Sequence, residues 1–157
     1  MLLPLIGDFE VARNLARIPH PYTQSDAEEF VKMATRQRAS GVGYHFVITL
    51  NGDGMFLGGI GLTQRDGAFE LGYWLGKSFW ARGYATEAAR ALADFAFDRL
   101  SARRLIAGWF HDNPASGRVL AKLGFCSSGV EQLDCLARGH AVYCHMVQLE
   151  RSDVARP

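Results

Sequence analysis

The residue types that point most directly to ligand chemistry lie in one short turn between a strand-like and a helix-like segment. The first N–H groups of a helix have no intrahelical acceptor and carry about half a positive charge, so such a turn can bind a pyrophosphate through the main chain. Gly83 would let the backbone approach that ligand closely. A second interpretation, in which Gly83 only makes a tight strand-to-helix turn, stays open. The turn is Trp80-Ala81-Arg82-Gly83-Tyr84-Ala85-Thr86.

Glu70 is the candidate proton acceptor. It lies on the strand that leads to this turn, and it shares a face with Gly72 and Trp74 because alternate residues of a strand point to the same side. A carboxylate in that position suits the removal of a proton from an ammonium group, directly or through water. A solvated or salt-bridged strand carboxylate is the alternative interpretation.

Two polar residues stand at the start of a helix predicted further along the chain. Asn113 precedes Pro114, which is the typical order of an N-cap followed by proline at the first helical position, and Ser116 falls in the first turn. Capping and first-turn preference explain both residues structurally. The functional interpretation has both side chains facing a bound ligand.

Apolar periodicity and turn residues predict the elements that must hold these side chains. Two helices come first, one over residues 8–18 and one capped by Ser25 with Glu28 as its capping-box partner. Proline at positions 19 and 21 separates them. The buried stripe of the second helix is predicted to be Ala27, Phe30, Val31 and Ala34.

The rest of the chain is predicted to be a three-stranded antiparallel meander followed by strand, helix, strand, helix and two strands. Gly124 after Leu123 predicts a left-handed helix end, with Phe125 folding back on Leu120. This order indicates one α+β domain over residues 1–157, built on a mixed sheet. The predicted strands are 44–50, 55–63, 68–75, 105–110, 129–133 and 141–149, and the predicted helices are 83–100 and 113–123.

Composition excludes several classes of function. The 157 residues are 48% hydrophobic and 21% charged, as expected of one packed domain. The net charge is +1 and the basic residues are scattered, so no nucleic-acid partner is expected. No apolar run reaches the roughly 20 residues that span a bilayer, and the N-terminus lacks the basic start of a signal peptide. We therefore expect a cytosolic protein with no membrane association.

The three cysteines predict neither a disulfide framework nor a metal centre. Cys126, Cys135 and Cys144 are odd in number and form no CxxC pair, so free thiols that are buried or half-buried are expected. Their spacing with His140 and His145 matches no zinc pattern. Cys126 is disfavoured as a nucleophile because it follows a helix C-terminus, where the helix dipole opposes a thiolate.

Three segments together resemble the GNAT N-acetyltransferases, and more narrowly their RimJ/RimL branch. Trp80 stands where the superfamily commonly has Gln or Arg, as is usual in that branch. The first segment, Tyr73-Trp74 and then residues 80–88, resembles the acetyl-CoA signature. The second is Asn113-Pro114-Ala115-Ser116, Val119-Leu120 and Lys122-Leu123-Gly124-Phe125, and the third is residues 18–23 with Asp26-Ala27 on the acceptor side.

The resemblance implies a fold as well as a site. The GNAT fold has a mixed, mostly antiparallel sheet of six to seven strands with about four helices, splayed where acetyl-CoA binds. Main-chain N–H groups near Trp74 and Leu75 would polarise the thioester carbonyl. The implied cofactor-binding residues are Trp74, Leu75, Trp80, Ala81, Arg82, Gly83, Tyr84, Ala85, Thr86, Asn113, Ser116 and Lys122, with pyrophosphate contacts from Arg82 through Thr86.

The predicted catalytic residues are Glu70, chosen for its place on the strand, together with Asn113 and Ser116 at the helix start. Asn113 would fix the pantetheine arm or an acceptor water, and Ser116 would give a proton or hydrogen bond to the departing thiolate. Many GNAT enzymes carry a tyrosine as general acid four residues after this serine, and here Leu120 stands in its place. The identity of the acid therefore stays open.

The expected activity is direct, ternary-complex transfer of an acetyl group from acetyl-CoA to a primary amine, with no metal and no covalent enzyme intermediate. The α-amine of a protein or peptide N-terminus ranks first as acceptor, and a small-molecule amine ranks second. A non-catalytic acyl-CoA-binding module that senses or scaffolds is the rival from another class. A homodimer is expected only because symmetric dimers are common.

Overall fold

The computed structural model describes residues 2–154, which form a six-stranded sheet with helices on both faces. The sheet order is β1-β2-β3-β4-β6-β5, and every neighbouring pair is antiparallel except β3 and β4. The predicted mixed α+β sheet is confirmed. The strands are β1 Gly43–Thr49, β2 Phe56–Arg65, β3 Ala68–Leu75, β4 Arg104–Phe110, β5 Cys126–Cys135 and β6 His140–Glu150, and the helices are α1 Leu2–Ile6, α2 Phe9–Ala12, α3 Gln24–Ser40, α4 Tyr84–Arg99 and α5 Pro114–Leu123.

The two central strands separate part-way along their length. β3 and β4 pair only at Phe69 with Leu105 and at Glu70 with Ile106. Beyond those pairs β3 continues to Leu75 and β4 to Phe110, each hydrogen-bonded only to its outer neighbour. The splayed sheet predicted from the family resemblance is therefore confirmed.

The main core lies between the sheet and helices α4 and α5. Small residues such as Ala89 and Ala96 let α4 approach the strands closely, and both are fully buried. Each leucine removed from water here contributes about 1.5–3 kcal/mol to folding. The leucines with the smallest exposure are Leu57, Leu62, Leu105, Leu120, Leu123 and Leu149.

Helices α4 and α5 agree with the sequence prediction. Asn113 is the N-cap of α5 and Pro114 opens it. Gly124 is left-handed with φ 102°, and the Phe125 N–H donates to the Leu120 carbonyl at 3.2 Å. This short return to the helix is the capping arrangement that the sequence predicted.

The N-terminal prediction was wrong in its boundaries. Instead of one helix over residues 8–18, two short helices occur, and α2 ends at Ala12. Asp8 starts α2 by accepting a hydrogen bond from the Glu10 N–H at 2.9 Å. The structure described thus has five α-helices where about four were expected.

The predicted cap and buried stripe of α3 were also wrong. Thr23 is the N-cap, not Ser25, and Asp26 is its capping-box partner instead of Glu28: the Thr23 N–H donates to Asp26 at 2.7 Å. The shift arises because Thr23 and Asp26 form an equally good pair two residues earlier. α3 buries no residue completely, and of the predicted stripe Phe30 and Val31 are exposed, Val31 by 61%.

Candidate functional site

The open end of β3 directs alternate main-chain N–H groups into the gap beside β4, and that of Leu75 lies nearest the following turn. The Gly76 N–H donates to the Leu57 carbonyl at 2.9 Å, so the peptide groups of Gly76 face β2. The peptide groups of successive residues in a strand point alternately to one neighbouring strand and the other. The Leu75 carbonyl accordingly points away from β2 and accepts a hydrogen bond from Trp80 Nε1 at 2.9 Å. The Leu75 N–H therefore points into the gap, whereas that of Trp74 points to β2.

The turn after β3 leaves the start of α4 without a side-chain cap. Gly83 is the N-cap with φ 85°, and Ala81 also has a positive φ of 59°. A Cβ placed on Gly83 would meet no atom within 4 Å, so conformation and not crowding requires glycine here. The N–H groups of Gly83, Tyr84, Ala85 and Thr86 have no intrahelical acceptor. Both interpretations of Gly83, a tight turn and an anion-binding turn, fit this geometry.

A surface groove of about 530 Å³ continues from this turn between α4 and α5. It contains two basic side chains, Arg90 and Lys122, and two acidic ones, Glu87 and Asp94. Arg82 is exposed at the turn itself. The remaining residues that line the groove are Gly83, Thr86 and Ala91.

Asn113 and Ser116 meet at the start of α5. Asn113 caps the helix, since its Oδ1 accepts a hydrogen bond from the Ser116 N–H at 3.4 Å. The structural explanation of Asn113 is thus observed directly. The Ser116 side chain is half-buried, and it contacts a residue that sequence analysis did not assign to the site.

That residue is Tyr73. Its phenol oxygen lies 2.8 Å from Ser116 Oγ and 3.2 Å from the Ser116 carbonyl oxygen, so the phenol can donate to either. Burial raises the pKa of Tyr73 to about 12, and the hydrogen bond with Ser116 lowers it by less. Alternation along β3 places Tyr73 on the helix-facing side, but no spacing rule links it to a serine 43 positions away.

Glu70 lies on the opposite face of β3 from Tyr73. Its Oε2 is 3.6 Å from a guanidinium nitrogen of Arg17 and 3.6 Å from one of Arg65. Arg65 also donates to Glu131 at 2.9 Å. Within residues 2–154, Glu70 Oε2 is buried and receives no hydrogen bond. Glu70 is therefore a salt-bridged carboxylate with one oxygen that still lacks a donor.

The surface beside Glu70 has a hollow above Gly72, which follows Glu70 on the same face. A Cβ on Gly72 would meet nothing within 4 Å. On the neighbouring strand the space above Gly61 is filled, since a Cβ there would lie 2.6 Å from His45 Nδ1. Burial, with the nearby charge of Arg17, lowers the pKa of His45.

A group of charged side chains anchors the segment that carries Arg17. Arg138 donates to both oxygens of Asp112, at 2.8 and 2.9 Å, and its Nε donates to the Arg13 carbonyl at 2.7 Å. The Arg13 side chain adds a hydrogen bond to Asp112 at 3.1 Å. The hydrogen bonds from Arg138 lower the pKa of Asp112 to about 2. The loop after α2 is thereby fixed beside the β5–β6 turn.

Acid should weaken this anchor. A carboxyl whose pKa is lower in the folded than in the unfolded protein, where it is about 3.9, stabilises the fold above that value and loses the contribution as the pH falls towards the folded pKa. We expect Asp112→Asn to lower the urea midpoint at pH 7, and the gap from wild type to shrink between pH 4 and pH 2. Asp134→Asn, on an exposed site of β5, is the control; equal behaviour of both variants would contradict the assignment.

The described residues contain few other features of functional interest. No group of three or more His, Cys, Asp or Glu side chains between Leu2 and Val154 is arranged to hold a metal ion. None of the helices in that range is long and apolar enough to cross a membrane. All three cysteines are free; Cys135 and Cys144 are buried as predicted, but Cys126 is exposed instead of buried or half-buried. Burial raises the pKa of the Cys144 thiol to about 11.

Comparisons with known proteins agree with this geometry. The family profile described as acetyltransferase (GNAT) domain matches residues 2–126. The chain is 28% identical over 139 residues to the uncharacterized N-acetyltransferase p20 of Bacillus licheniformis. The aligned region covers 86% of this chain and 78% of p20.

Two solved structures have the same fold. Mycobacterium smegmatis RimJ in complex with CoA-disulfide superposes with a TM-score of 0.83 at 20% identity, over 98% of this chain and 77% of that one. The spermidine N-acetyltransferase of Vibrio cholerae, in complex with CoA and spermine, superposes with a TM-score of 0.79 at 14% identity, over 96% and 88%. The chain belongs to the GNAT family of acetyltransferases, resembles its RimJ/RimL branch in motifs and fold, and is an acyltransferase enzyme.

Proposed function

We propose that this enzyme transfers an acetyl group from acetyl-CoA to a primary amine by direct attack within a ternary complex. The observation that carries the proposal is the separation of β3 from β4 beyond Glu70 and Ile106. The uncapped start of α4, the Leu75 N–H, Ser116 and Glu70 all border that opening. A donor, a hydrogen-bonding hydroxyl and a carboxylate are what acyl transfer to an amine requires.

The residues present fit a CoA molecule. The N–H groups of the turn from Arg82 through Thr86 would hold the pyrophosphate, because hydrogen bonds to ionised groups contribute about 1.5–3 kcal/mol each. Trp80 fixes this turn by its hydrogen bond to Leu75, and Ala81 turns the chain through its positive φ. Lys122 would meet the remaining phosphate charge in the groove.

Bound acetyl-CoA would supply the acetyl group and a thiolate leaving group. The Leu75 N–H would donate to the thioester carbonyl, while Glu70 takes the proton of the ammonium acceptor directly or through water. The amine nitrogen then forms the new C–N bond, the C–S bond breaks with its electron pair on sulfur, and the second proton of the former ammonium leaves the nitrogen to water. Ser116 donates a hydrogen bond to that sulfur, and Asn113 holds the pantetheine arm or an acceptor water.

The acceptor is proposed to be the α-amine of a protein or peptide N-terminus, with a small-molecule amine as second candidate. A protein acceptor and a small-molecule acceptor both occur among proteins of this fold. A Vibrio fischeri protein that superposes with a TM-score of 0.78 at 18% identity is a ribosomal-protein-S5-alanine acetyltransferase, and the Vibrio cholerae protein is a spermidine N-acetyltransferase. The hollow above Gly72 is the proposed entry for the amine. Action in the cytoplasm and formation of a homodimer are further predictions.

An acceptor panel tests the proposal. We expect purified protein to release thiol from acetyl-CoA with one class among N-terminal peptides, polyamines, aminoglycosides and amino acids, and to bind acetyl-CoA in calorimetry. Binding without turnover on any class would support the rival function, an acyl-CoA-binding sensor or scaffold. No binding at all would contradict both functions.

A further inference from the structure

Tyr73 and Ser116 connect two parts of the fold that the splayed sheet otherwise separates. Tyr73 lies on β3 beyond the last pair with β4, and Ser116 lies in the first turn of α5, which follows β4. The contact between their hydroxyl groups, 2.8 Å, is the shortest hydrogen bond that either side chain makes. This contact involves Ser116 Oγ, the group that is proposed to donate a hydrogen bond to the leaving sulfur.

We propose that Tyr73 is the positioning residue for Ser116, donating its phenol hydrogen to Ser116 Oγ so that the serine hydrogen is directed at the leaving sulfur. This inference rests on the proposed function. The phenol has one hydrogen and two acceptors within reach, Ser116 Oγ and the Ser116 carbonyl. When the phenol donates to the Ser116 carbonyl, the serine hydroxyl donates to the phenol oxygen. When the phenol donates to Ser116 Oγ instead, the serine hydrogen can be donated to the sulfur.

Tyr73 donates a hydrogen bond to Ser116 and does not supply a proton to the thiolate. Its pKa of about 12 keeps the phenol protonated at neutral pH, and this value is well above that of a thiol, about 8.5. Transfer of the phenol proton to the thiolate would therefore be uphill. The sulfur leaves as a thiolate stabilised by the serine hydrogen bond, while the first proton of the ammonium goes to Glu70 and the second to water.

The surroundings hold the serine in place for this role. Asn113 binds the Ser116 N–H, and Gly117 lies against Trp109 so closely that a Cβ would be 2.7 Å from the indole. Leu120, one turn further along α5, is 1% exposed and has no hydroxyl. Tyr73 therefore brings a phenol hydroxyl from β3 to the first turn of α5.

A double-mutant cycle separates this role from a structural one. We expect Tyr73→Phe to lower kcat about 10-fold, the usual effect of one hydrogen bond to a charged group, with KM for acetyl-CoA unchanged. In a Ser116→Ala background the same change should have no further effect, because residues that act as a unit are not additive. Tyr44→Phe, a half-buried tyrosine on β1 packed on the same core, should leave kcat unaltered in both backgrounds.

Binding gives a second readout that does not depend on turnover. Calorimetry at pH 9, where the CoA thiol is largely ionised, should show Tyr73→Phe weakening CoA several-fold and desulfo-CoA not at all. Equal weakening of both ligands, or a kcat loss that persists in the Ser116→Ala background, would overturn this inference alone. Failure of the wild-type protein to bind CoA would overturn the proposed function and this inference with it.

Discussion

Replacing Gly83 by valine should weaken acetyl-CoA binding about 100-fold or more, because the substitution removes the left-handed start of α4. At φ 85° a β-branched residue is strained, so the turn must change and the N–H groups of Tyr84, Ala85 and Thr86 lose their common direction. Two lost hydrogen bonds to a pyrophosphate, at about 1.5 kcal/mol or more each, account for that factor. Isothermal calorimetry with acetyl-CoA measures it.

Gly67→Val is the matched control for backbone strain. Gly67 has φ 75°, also has no atom within 4 Å of an added Cβ, and lies in the β2–β3 turn away from the groove. Both variants carry a similar left-handed penalty of about 1–2 kcal/mol, so both should melt at similar temperatures. Full retention of acetyl-CoA binding by Gly83→Val would contradict the assignment of this turn.

The second large effect is expected at Glu70. Glu70→Gln keeps the shape of the side chain but removes its charge and its capacity to accept a proton, so we expect kcat/KM to fall about 10²- to 10⁴-fold, the usual contribution of a general base. Acetyl-CoA affinity should not change, because Glu70 faces away from the α4 groove. Steady-state kinetics with the best acceptor, together with calorimetry, provides both values.

Glu131→Gln is the control for the loss of a negative charge on the Glu70 face of the sheet. Glu131 also binds Arg65, so Glu131→Gln removes a negative charge from the same cluster without touching the proposed base. Its kcat/KM should stay within a few-fold of wild type. If the two variants lost activity equally, Glu70 would be part of a structural ion-pair network and not the proton acceptor.

Strands and buried helices were predictable because their signals are local. Alternation in residues 68–75 gave β3 with its observed ends, and the order Asn113, Pro114, Gly124 gave both ends of α5. The N-terminal region was harder to predict, since two Ser/Thr-x-x-acid pairs compete there and α3 packs loosely. Local propensity cannot decide between such equal caps.

The candidate site likewise has features with local sequence signals, which were predictable, and features that depend on long-range contacts, which were not. The turn around Gly83 was visible because strand, turn and helix start are contiguous in the chain. The contacts of Arg17, Arg65 and Tyr73 could not be predicted, because each joins residues on different elements. Such long-range contacts depend on register and helix placement, which composition and periodicity do not specify.

We propose above all that the enzyme transfers acetyl from acetyl-CoA to an amine within the opening between β3 and β4. The most direct measurement follows an isotope-labelled acetyl group by mass spectrometry, first with protein and acetyl-CoA alone and then with the amine panel added. We expect the protein to be unlabelled in the first step, and one thiol to be released for each labelled amine in the second. Acetyl-CoA binding with no labelled amine of any class, or a protein that carries the label before amine is added, would contradict it.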